Sequence, residues 1–186
     1  LFLGFVKIRL YGLVYVFGFI AAIIIAKKRC QRKDSPITAL RIEDLIFYSM
    51  LGVILGGRLG YVFFYGWQQL ISDPWYIFKI TEGGMSFHGG LIGVAVALLI
   101  YSRKYQITFL SLTDFATPLV PTGLFFGRIG NFIGQELYGR PTDVPWAMIF
   151  PADPQQLARH PSQLYEAALE GLVLFFIISW YARKPR

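Results

Sequence analysis

Residues 45–65 read LIFYSMLGVILGGRLGYVFFY, 21 positions that carry a single charge, Arg58, and no proline. A helix needs about 17–25 mostly apolar residues to cross a bilayer. In lipid every backbone N–H and C=O must find its partner inside the segment, which makes a helix the default. Four more segments repeat the pattern: roughly Leu10 to Ala26 without a charge, Met85 to Tyr101, Phe109 to Gly134 and Leu164 to Tyr181. Asp114, Pro118, Pro121 and Arg128 lie inside the fourth. The expectation is an all-α, polytopic transmembrane helix bundle of about five spans, a single membrane domain over 1–186.

Composition agrees. Hydrophobic residues make up 55% of the 186 and charged ones 16%, against about 45–50% and about 25% in soluble domains. The mean hydropathy is +0.50. The net charge of +7 would suggest nucleic acid in a soluble protein, but no motif for it is present. Lys and Arg collecting in cytoplasmic loops account for the excess. The only cysteine, Cys30, sits in a basic run and excludes an internal disulfide. The first residue is Leu1, so the sequence reads as incomplete at its start, and the first apolar block lacks a signal-peptide cleavage site.

The loops orient the spans. Lys27, Lys28, Arg29, Arg32, Lys33 and Arg41 crowd the first, Arg103 and Lys104 mark the third, and Arg183, Lys184 and Arg186 end the chain. By the positive-inside rule these are cytoplasmic and the N-terminus is outside; Lys7 and Arg9 argue weakly against it. Residues 71–78, with Trp75 and Tyr76, read as an outer-face interfacial segment. Residues 135–161, Pro-rich but holding Trp146, read as an ordered outer loop.

Ionisable groups within spans are costly and therefore informative. This orientation places Arg58, His88, Arg128, Asn131, Gln135, Glu136, Glu166 and Tyr11, from five segments, at one level near the outer leaflet boundary. Arg128, Asn131 and Gln135 share a helix face. Beside them Gly123, Gly127, Gly130 and Gly134 form a stripe suited to close helix contact, as do Gly52, Gly56 and Gly60 and the pair Gly89 and Gly93. Arg58 has alternatives: snorkelling, or a structural ion pair with Glu136 or Glu166. The glycines around His88 also suit an anion-binding nest of backbone N–H groups. An arginine at headgroup depth binds phosphate bidentately, and a histidine trades protons near neutrality. His88 and His160 are the only histidines, and neither a metal set nor a Gly-x-Ser-x-Gly elbow is visible. The residues therefore point to phospholipid headgroup chemistry without metal or cofactor. A small-solute or lipid transporter is the rival reading, disfavoured because the polar groups gather at one face and no internal repeat is found. A purely structural scaffold is a third.

Several motifs carry a family resemblance: GGMSFHGGLIG at 83–93, GRIGNFI at 127–133, ELYGR at 136–140, RHPSQLYE at 159–166, GGRLGY at 56–61 and YGL at 11–13. In that order the chain closely resembles the prolipoprotein diacylglyceryl transferases. The resemblance implies transfer of the sn-1,2-diacylglyceryl group of phosphatidylglycerol to the lipobox cysteine thiol of an exported prolipoprotein. A thioether forms and glycerol phosphate leaves, the first step of bacterial lipoprotein maturation. It implies a multi-pass protein of the bacterial inner membrane with its site toward the outer face. Arg128 then resembles the family's phosphatidylglycerol-binding arginine and His88 the histidine of its His-Gly-Gly motif, the two catalytic candidates. Tyr11, Asn131, Glu136 and Gly139 match polar-cavity positions. Glu166 closes its motif, and Arg58 completes the substrate-binding set. The family continues with two more spans bearing a second important arginine, so the resemblance also implies a fragment of a longer chain.

Overall fold

The computed structural model describes residues 2–3, 6–7, 10–80 and 83–183, with side chains for 13–14, 16–80 and 83–183. Most of it is helix: α1 (Leu10–Cys30), α2 (Ile42–Phe64), α3 (Trp67–Ser72), α4 (Phe87–Tyr105), α5 (Phe109–Ala116), α6 (Val120–Ile133), α7 (Ser162–Glu166) and α8 (Leu174–Tyr181). Two short antiparallel pairs join β1 (Phe2–Leu3) to β2 (Val6–Lys7) and β3 (Met148–Ile149) to β4 (Ala158–Arg159). Three helical runs are long and apolar enough to cross a membrane: Ala39–Phe64, Phe109–Ile133 and Ser162–Tyr181. Helices α1 and α4, of 21 and 19 residues, fall on the first and third expected segments.

Two of the long runs change winding on the way. Pro118 and Pro121 remove N–H donors, and the chain passes from α5 to α6 through a tighter turn, Thr117–Leu119. Ala167–Val173 winds as a π-helix between α7 and α8, a local widening often found at functional sites.

The described structure divides into two compact units, Leu1–Asp34 with Ala116–Arg186, and Ser35–Phe115. In the Ser35–Phe115 unit, α2 and α4 touch backbone to backbone. A Cβ built on Gly52 would stand 2.6 Å from the Gly93 carbonyl oxygen, and one on Gly60 2.8 Å from the Gly89 Cα. The expected close-packing glycines therefore meet across this pair, where backbone approaches backbone and dispersion contacts are dense. Tyr101, fully buried, donates its hydroxyl to the Arg41 carbonyl at 2.9 Å.

The other unit packs rings into glycine notches instead. Phe126 of α6 lies over Gly18 of α1, and Phe125 lies over Gly171 of the π-helical turn. The α6 stripe differs from expectation. Gly130 is buried, but a Cβ at Gly123 or Gly127 would meet nothing within 4 Å among the described residues, and Gly134 is exposed. The neighbouring phenylalanines, not the glycines, make the recorded contacts. At one end of this unit Arg32 donates to the carbonyls of Ala182, at 2.5 Å, and Arg183, at 2.8 Å. A cation there complements the negative C-terminal end of α8.

The 135–161 segment is ordered around Asp153, which is 2% exposed. Its carboxylate accepts from Arg159 Nε at 2.6 Å and Nη2 at 3.2 Å, and from the N–H groups of Gln155 and Leu157. Arg159, foremost, and those N–H groups hold its pKa down at about 2 against the opposing pull of burial.

Candidate functional sites in the two units

In the Ser35–Phe115 unit, Arg58 is 2% exposed. Among the described residues its guanidinium donates only to backbone carbonyls: Ile77 at 3.2 Å, Gly83 at 2.6 Å, Gly84 at 3.2 Å, and Tyr76. The Tyr76 ring lies 4.6 Å from the guanidinium carbon, a cation–π contact. A buried charge needs its donors satisfied, and here neutral carbonyls do it. Gly83 and Gly84 adopt φ of +89° and +84°, a conformation glycine enters without steric cost. A side chain on Gly84 would also strike the Tyr61 ring. Arg58 thus ties the 74–78 turn to the segment that enters α4. The snorkelling arginine does not fit: the charge is internal and given to the loop.

That segment delivers His88. Ser86 donates its N–H to the Gly57 carbonyl at 2.9 Å and caps α4 by accepting from Gly89 N–H at 3.2 Å, a regular helix start. The Gly90 N–H goes to the Ser86 carbonyl at 2.9 Å. Both of these N–H groups are used and Gly89 is pressed on α2, so the stretch makes a regular helix start. His88, in the first turn of α4, is exposed. It lies with Ser86 and Tyr65 along an apolar groove of about 970 Å³ whose floor is the glycine contact of α2 and α4.

In the other unit, Arg128 has a different setting. Its Nε stands 2.7 Å from Glu166 Oε2 and its Nη2 3.5 Å from Glu170 Oε2. Its side chain is 29% exposed. One turn on, Asn131, 9% exposed, donates Nδ2 to Glu136 Oε1 at 2.7 Å. Glu136 sits just past α6 between Gln135 and Leu137, both at φ +56°, where a side chain costs energy. Its backbone is held on both sides. Its N–H donates to the Asn131 carbonyl at 3.0 Å, and its carbonyl accepts from Gln163 Nε2 at 2.7 Å.

Gly139 packs rather than opens. Its N–H donates to the His160 carbonyl at 2.9 Å, and a Cβ there would crowd that oxygen and the Ser162 hydroxyl. Tyr11 stands in the first turn of α1, with its side chain outside the described residues. The structure gathers Arg128, Asn131, Glu136 and Glu166 within one unit, and places Arg58 and His88 in the other.

Three contributors escaped the sequence reading. Glu170 stands four residues after Glu166 inside an apolar run, the kind of ionisable group that should raise a site hypothesis. Gln163 is fully buried, with Oε1 unpaired; nothing in its type or spacing marks it. Tyr165 links two residues of the 135–161 segment: its hydroxyl accepts from Trp146 Nε1 at 2.6 Å and lies 3.2 Å from His160 Nδ1.

Long apolar helices, one of them carrying an arginine flanked by carboxylates, define a helical membrane protein. Comparison with known proteins makes the class specific. The family model for prolipoprotein diacylglyceryl transferase matches residues 1–186. A phosphatidylglycerol–prolipoprotein diacylglyceryl transferase of Vibrio vulnificus is 54% identical over 184 residues, 99% of this chain and 68% of that protein. The namesake of Teredinibacter turnerae is 55% identical over 179 residues, 96% of this chain and 62% of its own. That of Mannheimia succiniciproducens is 54% identical over 184 residues. The chain belongs to the prolipoprotein diacylglyceryl transferase family: it is a transferase of lipoprotein biosynthesis and a membrane enzyme. It spans about two thirds of the length of these relatives.

Proposed function

We propose that the chain moves the sn-1,2-diacylglyceryl group of phosphatidylglycerol to the lipobox cysteine of a prolipoprotein signal peptide at the outer face of the bacterial inner membrane. The single observation that carries this reading is Arg128. It is a permanently charged, part-exposed guanidinium in an apolar helix, braced by Glu166 at 2.7 Å, in a chain 54% identical to enzymes named for that lipid and that protein substrate.

The reaction is a substitution at the glyceryl carbon bonded to phosphate oxygen. The cysteine sulfur forms the new C–S bond as thiolate. The C–O bond breaks, its electrons stay with oxygen, and glycerol phosphate departs. Two roles follow. One is a cation that meets the charge growing on the leaving phosphate; Arg128 fits it. The other is a group that takes the thiol proton or orients the substrate; His88 is assigned it, and releases the proton to water afterwards. Asn131, with Tyr11, holds headgroup oxygens. Glu166 orients Arg128, Glu136 is fixed at the loop entry, and Gly139 keeps the loop close to residues 160–162. Arg58 serves by holding the loop before His88, in place of direct contact with lipid. Helices α1 and α4 span with the three long runs, in one membrane domain. The Arg32 bonds to the end of α8 agree with a cytoplasmic first loop and C-terminal end.

Membranes containing the protein, incubated with glycerol-labelled phosphatidylglycerol and a lipobox peptide, should yield diacylglyceryl-peptide and glycerol phosphate in equal amounts. Solute flux without peptide labelling would favour the transporter. His88→Asn separates the two roles for His88. As proton acceptor, its loss lowers turnover more than lipid affinity, and the defect shrinks toward pH ~8.5, where the thiol ionises unaided. Near-wild-type turnover at neutral pH removes His88 from the mechanism.

A further inference from the structure

Two carboxylates meet one guanidinium at Arg128, and they share an edge. Nε and Nη2, the atoms engaged by Glu166 and Glu170, form the side of the guanidinium fork. No hydrogen bond from Nη1 is found among the described residues, so the Nη1/Nη2 end is the face left for a ligand, with a fork geometry that suits two phosphate oxygens. The two contacts are unequal. Glu166 is at full hydrogen-bond distance, 2.7 Å, with its side chain 35% exposed, whereas Glu170 stands at 3.5 Å and is 45% exposed. Glu166 alone is enough to hold the arginine. Glu170 adds a negative charge, so one cation and two anions sum to −1 beside a site for an anion.

Such a charge does not act equally on substrate and product. A phosphodiester such as phosphatidylglycerol carries one negative charge. A phosphate monoester carries about −1.5 to −2 at neutral pH, and Coulomb repulsion grows in proportion to that charge. We infer that Glu170 is a positioning residue that tempers Arg128. It weakens the hold on the departing glycerol phosphate about twice as strongly, in free energy, as the hold on the incoming lipid, and so speeds product release. The inference rests on the phosphate role of Arg128 proposed above. It adds a residue and a purpose, discrimination of monoester from diester.

The test is product inhibition of thioether formation in membranes, with glycerol phosphate as added inhibitor. For Glu170→Gln the inhibition constant should fall about tenfold and KM for phosphatidylglycerol about threefold, the square-root relation expected of a twofold charge ratio. Turnover should fall as product lingers. Glu170→Asp, which keeps the charge, should stay close to wild type in the ratio of the two constants. Glu170→Ser guards against an effect peculiar to the amide and should behave as Gln does. Unchanged glycerol phosphate inhibition in Glu170→Gln overturns the inference, as do equal shifts of both constants or an Asp variant that behaves like Gln. If wild type itself makes no diacylglyceryl-peptide, the proposed function fails instead, and the outcomes are distinct.

Discussion

Arg58 and Arg128 look alike in the sequence: each follows a glycine, sits within an apolar helix and lacks a nearby basic residue on its helix. Their settings are opposite. Arg58 is sealed, its guanidinium given to four carbonyls of neutral peptide groups. Arg128 is part-open and faces two carboxylates. A carbonyl ring satisfies a cation by closing around it; a carboxylate pair engages one edge of the cation and, among the described residues, leaves it part-open. What surrounds an arginine in an apolar helix decides whether it is closed off as a latch.

The largest effect should come from breaking the latch. Arg58→Met removes the shared donor of the carbonyls of Tyr76, Ile77, Gly83 and Gly84, which are part-buried to exposed, and a hydrogen bond to a charged group contributes about 1.5–3 kcal/mol. We expect roughly 3 kcal/mol or more of lost stability, about two such bonds, read as a lowered thermal midpoint in detergent, with activity falling only as folded protein falls. Arg58→Lys should recover part of the midpoint, because three donors on a point charge cannot reach four carbonyls. A stable Arg58→Met with lost lipid binding would return Arg58 to the substrate contacts and erase the contrast.

Arg128 should behave the other way. Arg128→Gln is expected to lower activity about a hundredfold, ~2.7 kcal/mol of transition-state stabilisation, with little change in midpoint, since its partly exposed ion pairs contribute little to folding. Arg128→Lys keeps charge without the fork and should retain about a tenth of the activity. Full activity of the Gln variant would sink the phosphate clamp.

The smallest effect concerns a third arginine, Arg159, whose bidentate pair with Asp153 lies in the loop outside the helices. Because that carboxyl titrates at about 2 in place of 3.8, its contribution to loop stability is present above pH ~4 and lost as pH falls through about 2. Fluorescence of Trp146, in a variant with the other tryptophans replaced by phenylalanine, should hold steady from pH 7 to 4 and change only toward 2. A transition near pH 4 would mean that the pair does not hold the loop.

The glycines divide along the same line as the arginines. The spacing of Gly52, Gly56 and Gly60 announced a close contact, and α4 supplied it through Gly89 and Gly93. The same spacing at Gly123 and Gly127 announced one that the described residues do not make. Small residues permit approach without demanding it. What decides is whether a neighbouring helix brings a matching surface, and beside Gly127 the phenylalanines at 125 and 126 took the contacts.

By itself, the order of apolar and charged residues determined the helical membrane class, the place of each long helix, and the motifs that mark the family. The cost of leaving a backbone group unpaired in lipid, or a charge outside water, is local and can be read along the chain. The assignment of Arg58 to the loop, the pairing of Glu170 with Arg128, and the burial of Gln163 beneath Glu136 belong to the tertiary structure alone. Each depends on which groups, far apart in sequence, come within hydrogen-bond reach, and a bond that fades within an ångström of its best length leaves no periodicity in the chain to announce it.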